Sequence, residues 1–381
     1  MSADLSRRSF LRLGAAGAVA SMTVAGAGSL FDTIARADAA STGEAELKPL
    51  DPIRTIFDAM ARFPLVGIAE LHFMQEWHDF ITALLFHPAL PAALTDIVVE
   101  FGNAQYQQVA DRFILGDEAV SRPALEPIWR YQGWDAPVYE QFFRTVRAVN
   151  WMRPASQRIR VLLGAQPFDV PRVRNTSDPA FRKWWLDPPD EHYTSVVEQK
   201  VLGQRRRALL IAGGGHLLRG IYSDRKILNV ATQLEQRHPG SIYVVDSIAL
   251  RPGLQQDTAG NRLRTTFAGW PRPSLAVLAG TWLGSVTRSL DGDRINQLSS
   301  RAVSAAAARY DRQADAILYL GPGERLTASQ ADPTLFEHGS YRRELERLNP
   351  IVSQIDGQHE DLVAESLKQA KAPPSWFAQF A

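Results

Sequence analysis

Three apolar runs of this 381-residue chain stop at titratable side chains. Leu65-Val66-Gly67-Ile68-Ala69 ends on Glu70 with His72 two residues on, Asp96-Ile97-Val98-Val99 ends on Glu100, and Ala208 to Ala212 runs into Gly213-Gly214-Gly215 and His216. Two carboxylates and two imidazoles support two kinds of chemistry. They can activate water as a general acid/base set, or they can hold a divalent metal. Glu70 serves as a proton carrier if burial keeps it neutral, and as a held carboxylate if an arginine or a metal keeps it ionised. His72 shares its side of an extended chain, because alternate residues of a strand face the same way. His216 is the distinctive feature of its turn: the glycines lack the GxGxxG spacing and no Lys-Ser/Thr pair follows, so a phosphate loop is disfavoured. Arg219 either meets an anionic substrate or pairs with a structural carboxylate. Asn103 reads as a helix cap, and His78 as a partly exposed helix histidine.

What would gather these side chains is a parallel sheet, whose strands deliver their carboxyl ends to one edge. Strand-like and helix-like segments alternate along the chain, the pattern of βα units. Strands are expected over Leu65–Glu70, Asp96–Phe101, Ile159–Gly164, Ala208–Ala212, Ile242–Ile248 and Ala316–Leu320. Their unbroken Val, Ile and Leu content implies that both faces are covered. Helices are expected over Met74–Phe86, Ala104–Leu115, Pro137–Asn150, Glu191–Gln204, Asp224–Arg237 and Asp293–Tyr310. The fold class is therefore α/β, a mostly parallel central sheet with helices on both faces and helical or loop insertions. Two proline- and tryptophan-rich stretches near 121–134 and 166–189 are those insertions, with Trp129, Trp134, Trp184 and Trp185 lining a pocket or filling the junction with the core. Leu250–Ser274 reads as a surface excursion or hairpin.

The first 39 residues read as an address. Ser6-Arg7-Arg8-Ser9-Phe10-Leu11-Arg12 resembles the twin-arginine export signal, a weakly apolar Ala/Gly stretch follows, and Ala37-Asp38-Ala39 suits signal peptidase. The expected organisation is a leader over 1–39 and one α/β domain over 40–381. The expected partner during export is the twin-arginine translocase, and the destination is the periplasm or the exterior. The chain has no cysteine, so disulfides, thiolate ligands and a cysteine nucleophile are excluded. Lysines and arginines number 42 against 41 acidic residues, which gives no pull toward nucleic acid or anionic lipid. The run Gln204-Arg205-Arg206-Arg207 reads as the basic last turn of a helix. No stretch after the leader is apolar enough to span a membrane. A GxSxG elbow is absent, which disfavours a serine hydrolase, and no glycine fingerprint follows the first strand, which disfavours a dinucleotide oxidoreductase.

The segments VGIAELHFMQEWHDF, DIVVEFGNAQYQQVADRFI and ALLIAGGGHLLRG together resemble a superfamily of α/β domains. It comprises the erythromycin esterase-like hydrolases, the Tiki-type metalloproteases and the ChaN-like haem-binding proteins. The resemblance covers roughly residues 60 to 220, more diffusely the rest including ADAILYLGP, and implies that Glu70, His72, Glu100 and His216 form the site. An esterase-like member would use one histidine as general base while the carboxylates orient it. In a Tiki-like member the same four residues would bind a divalent metal, and in a ChaN-like member the pocket would take haem. The segment Gly164-Ala165-Gln166-Pro167-Phe168-Asp169 departs from the pattern, lacking an acid at 165 or 166 and leaving Asp169 as the nearest substitute. The sequence thus points to an exported hydrolase-like protein acting on a small-molecule substrate, with a haem- or metal-binding protein as the alternative.

Overall fold

A computed structural model describes residues 44–116, 119–130, 133–179, 181, 189–220, 228–250, 258–288, 308–356 and 361–377. The leader expected over residues 1–39, Trp184, Trp185 and most of the helix expected over Asp293–Tyr310 lie outside the described residues. Seven strands carry the fold: β1 Leu65–Glu70, β2 Asp96–Asn103, β3 Arg160–Ala165, β4 Ala208–Gly213, β5 Ile242–Leu250, β6 Ser274–Val277 and β7 Ala316–Pro322. Every residue of β1, β2, β4 and β5 is buried, as expected where both faces of a sheet are covered. The chain is an α/β protein whose strands are mostly parallel. It divides into two compact units, one of Phe73–Arg206 with Thr327–Ala381, the other of the described residues before Phe73 with Arg207–Leu326.

The second of these holds five of the seven, in the order β4-β1-β5-β7-β6. β1 runs parallel to β4 from Leu65↔Ala208 to Glu70↔Gly213, and parallel to β5 from Leu65↔Ile242 to Ile68↔Val245. β6, not expected from the sequence, runs antiparallel to β7 with Ser274 opposite Tyr319. At only four residues, after two prolines, it falls below the length at which a pattern can be read. Its outer edge is covered by the chain at Leu50, which exchanges backbone hydrogen bonds of 2.8 and 3.1 Å with Leu275, as an exposed sheet edge requires. The following helix, Pro52–Arg62, starts where Asp51 accepts the Arg54 N–H at 2.9 Å and Pro52 presets the first turn. The described part of the stretch Leu250–Ser274, read from sequence as a surface excursion or hairpin, holds the helix Thr258–Phe267, which buries Leu263 and Phe267.

The other unit sets the parallel pair β2 and β3 among helices over Gln75–Phe86, Gln107–Leu115, Pro137–Trp151 and Pro189–Lys200. It ends in two helices, Gly339–Asp356 and Leu362–Ala370, that the strand-and-helix rhythm of the sequence did not reach. Asp96 opens β2 with its side chain shut off from solvent and is met at 2.6 Å by both Arg160 and Arg206. Arg206, in the basic run, therefore neutralises a buried carboxylate. Gly164 is needed by packing. A Cβ there would lie 2.4 Å from the Tyr193 ring and 2.9 Å from the Val99 carbonyl oxygen, while the Tyr193 hydroxyl is itself tied to the Val98 carbonyl at 2.8 Å. Gly164→Ala is expected to cost about 1–3 kcal/mol of stability, as overpacking does. Chemical denaturation measures it, and an unchanged midpoint would show that Tyr193 yields freely.

Candidate functional site

Within the unit that holds five of the strands, Glu70 and His72 stand together where β1 ends. Glu70 is its last residue, 2% exposed, and His72 is 3% exposed. The His72 Nδ1 lies 3.4 Å from Glu70 Oε2. That separation is longer than a well-formed charge-assisted hydrogen bond, and no hydrogen bond forms between these two atoms, so their approach is electrostatic. An imidazole protonated at Nδ1 presents Nε2 as the basic nitrogen. The parallel register carries the second histidine to the same edge. Gly213, the partner of Glu70 across β1 and β4, is followed by the single helical turn Gly214–Leu217, on which His216 is half-buried.

The same edge holds a carboxylate that sequence reading passed over. Asp246 of β5 is buried, its Oδ2 accepts the hydroxyl of buried Tyr310 at 2.5 Å, and its Oδ1 would lie 3.9 Å from a Cβ placed on Gly214. Its signal was present: Tyr243-Val244-Val245-Asp246 repeats the apolar-run-then-acid pattern that singled out Glu100. It went unread because β5 continues past it. Arg219, by contrast, is structural. Its guanidinium bonds Asp315 at 2.8 Å and the Ile242 carbonyl at 2.7 Å, and the same Asp315 oxygen accepts the Val244 N–H at 2.7 Å.

Glu100 belongs to the other unit and does not end its strand. β2 runs on through Phe101 and Gly102 to Asn103, and the register with β3 shifts between Val99 and Asn103, so that Glu100, 8% exposed, sits at an irregularity three residues before the strand stops. Asn103 caps as expected: its Oδ1 accepts the Gln105 N–H at 3.0 Å, and its amide donates to the Phe168 carbonyl at 2.6 Å. Asp169, the candidate substitute acid, forms an ion pair with Arg172 at 2.8 Å. His78 is not partly exposed. It is 5% exposed in an aromatic cluster, edge-on to Tyr139 at 5.2 Å and 6.4 Å from Phe101, because its helix also buries Trp77, Phe80, Ile81, Leu84 and Leu85. Trp129 and Trp134 fill the same core, Trp134 edge-on to Tyr139 at 5.0 Å and Trp129 stacked on Phe143 at 5.3 Å.

A further titratable group of that unit, Asp135, also escaped sequence reading. Burial pushes its carboxyl up to about 7, against the lowering pull of the Arg130 guanidinium and of the Tyr341 hydroxyl 3.3 Å away. Arg130 in turn bonds Glu126 at 2.7 Å and lies over the Tyr341 ring, 5.3 Å from its centre.

Among the described residues no three His, Asp or Glu side chains are gathered as a metal-ligand set. Structural and catalytic zinc centres need three or four such donors, and the close pair Glu70–His72 provides two. For haem, half-buried His216 has surface to offer an iron atom. Among the described residues no helix is long and apolar enough to cross a membrane.

No family model and no curated protein matches the chain. Solved structures to which it is similar include a Bacillus cereus protein, 9% identical over 79% of this chain and 99% of that one with a TM-score of 0.48. A mutant of the erythromycin esterase EreC in its open conformation is 10% identical over 70% of this chain and 92% of that one, with a TM-score of 0.45. ChaN of Campylobacter jejuni, with cofacially bound heme, is 13% identical over 53% of this chain and 87% of that one, with a TM-score of 0.33.

Proposed function

We propose that the chain is a hydrolase in which His72 acts as general base on water and Glu70 holds it in the productive tautomer. The observation that carries this reading is the buried Glu70–His72 pair at the carboxyl end of β1, with Nδ1 and Oε2 3.4 Å apart. A carboxylate beside one imidazole nitrogen stabilises a proton there and leaves the other nitrogen to accept one, an arrangement that general-base sites use. In the reaction on an ester, His72 Nε2 takes a proton from water as the water oxygen bonds to the carbonyl carbon. The bond from that carbon to the leaving oxygen then breaks, and the proton returns from the imidazolium to the departing alkoxide. His216, brought to the same edge of the unit by the β1/β4 register, is suited to donate to the carbonyl oxygen as charge builds on it. Glu100 enters the reading through the resemblance of its motif.

A panel of p-nitrophenyl acetate, p-nitrophenyl butyrate and a macrocyclic lactone tests it, with Glu70→Gln as the comparison. Hydrolysis by the wild type that falls about 10–100-fold in Glu70→Gln is expected, the size of effect that orientation of a base supplies. The haem alternative is read in parallel from the Soret absorbance on adding haem. Stoichiometric binding lost in His216→Ala, together with no hydrolysis of any of the three esters, would replace the hydrolase reading.

A further inference from the structure

We propose that Asn229 is a positioning residue for His216; the kinetic part of its test rests on the hydrolase reading above, and the spectroscopic part does not. A single helical turn of four residues, two of them glycines and preceded by a third, has little conformational preference of its own, so its geometry has to be imposed from outside. Asn229, 3% exposed, does this from the start of the helix Val230–Arg237. Its amide nitrogen donates to the Gly215 carbonyl at 3.0 Å and to the Leu218 carbonyl at 2.6 Å, the carbonyls just before His216 and two residues after it. Its Oδ1 accepts the Thr232 N–H at 3.0 Å and the Thr232 hydroxyl at 2.6 Å, and that hydroxyl accepts the Gly220 N–H at 2.8 Å. A carboxamide has two donors and two acceptor positions, and all four are engaged.

Capping the helix uses only the oxygen, and Asp or Ser caps about as well as Asn. The amide half is surplus to the cap. It straddles His216 and ties both ends of its turn to one rigid point. Leu217 anchors the turn from below, its methyl carbons 3.4–3.5 Å from where a Cβ on Gly67 of β1 would be.

Asn229→Ser and Asn229→Asp separate the two roles, since both keep a capping oxygen and both remove the donors to Gly215 and Leu218. The readout is the imidazole Cε1–H resonance of His216 in the full chain, assigned by its absence in His216→Gln. Displacement or broadening of that resonance in both variants is expected, while Asp51→Ala, which removes a cap elsewhere in the same unit, leaves it in place. Hydrolysis of p-nitrophenyl acetate is expected to lose 10–100-fold in kcat with KM held within about twofold, as when a reacting group is misplaced by a fraction of an ångström. A His216 resonance and titration midpoint unmoved in Asn229→Ser, with the protein folded, would overturn the proposal. If the wild type hydrolyses no ester, the hydrolase reading falls, and the His216 resonance still decides the role of Asn229.

Discussion

His72→Asn is expected to lower kcat/KM for ester hydrolysis by about 10²–10⁴-fold, with the loss in kcat, because a positioned general base contributes that much to proton transfer in the transition state. Asparagine keeps a polar side chain at the end of β1 and removes the basic nitrogen. Glu70→Gln should do less, about 10–100-fold, since it leaves the base in place and removes only what orients it. The pair acts as one unit, so the two losses should not add, and the double variant should be no slower than His72→Asn alone by more than a fewfold. Multiplying losses would mean that Glu70 and His72 act separately, and the 3.4 Å approach would then have no catalytic meaning. Both side chains are almost wholly buried, and removing the imidazole takes away the group packed beside the Glu70 carboxyl, so a fall in melting temperature accompanies the kinetic loss. Circular dichroism at the assay temperature separates the two effects. A folded His72→Asn protein within threefold of the wild-type rate would sink the general-base assignment.

How much of this site could be read from the sequence depends on where the local pattern coincides with the tertiary one. β1 was legible to the residue, because Leu65 to Ala69 is continuously apolar and Glu70 breaks the run where the strand stops. For β2 the same rule misplaced Glu100: the strand is expected to stop at Phe101, with Gly102-Asn103 as its exit, yet a shifted register lets it continue to Asn103. The rule would have found Asp246 as well, but a charge inside a strand was not recognised as a site feature. Its partner Tyr310 is 64 residues away, and no local pattern announces such a hydrogen bond. His78 was misjudged because a helix buried over a wide arc hides residues that an amphipathic stripe would leave outside. The helix Gly339–Asp356 is illegible for the converse reason: its Arg and Glu side chains and internal Pro350 mask the buried set Tyr341, Leu345, Leu348, Ile351 and Val352.

Asp135 makes the largest prediction for stability, and its sign follows from the direction of its shift. Its carboxyl titrates at about 7 in the folded protein, against 3.8 for an unperturbed aspartate, because burial penalises the charged form more than Arg130 and Tyr341 favour it. Between those two values the native state holds a proton that the unfolded chain has released, so stability falls as pH rises through this window. The contribution is fully present below about pH 4 and gone above about pH 7. At ~1.4 kcal/mol per tenfold change in proton affinity the shift amounts to at most about 4 kcal/mol, since Asp135 keeps partial contact with solvent. Asp135→Asn removes the titrating group and keeps its size. Arg130 retains its bond to Glu126 at 2.7 Å, so the substitution leaves no cation stranded. Other carboxylates also shape the acid limb, and taking the difference between variant and wild type cancels them. Urea unfolding followed by tryptophan fluorescence at intervals from pH 4 to pH 8 should therefore show the two proteins of similar stability at the acid end. The advantage of Asp135→Asn should then grow toward several kcal/mol by pH 8. A difference that stays flat across that range would mean that Asp135 is ionised throughout, held as a carboxylate by Arg130, and the cluster of Arg130, Asp135 and Tyr341 would then be a buried ion pair and not a reservoir for a proton.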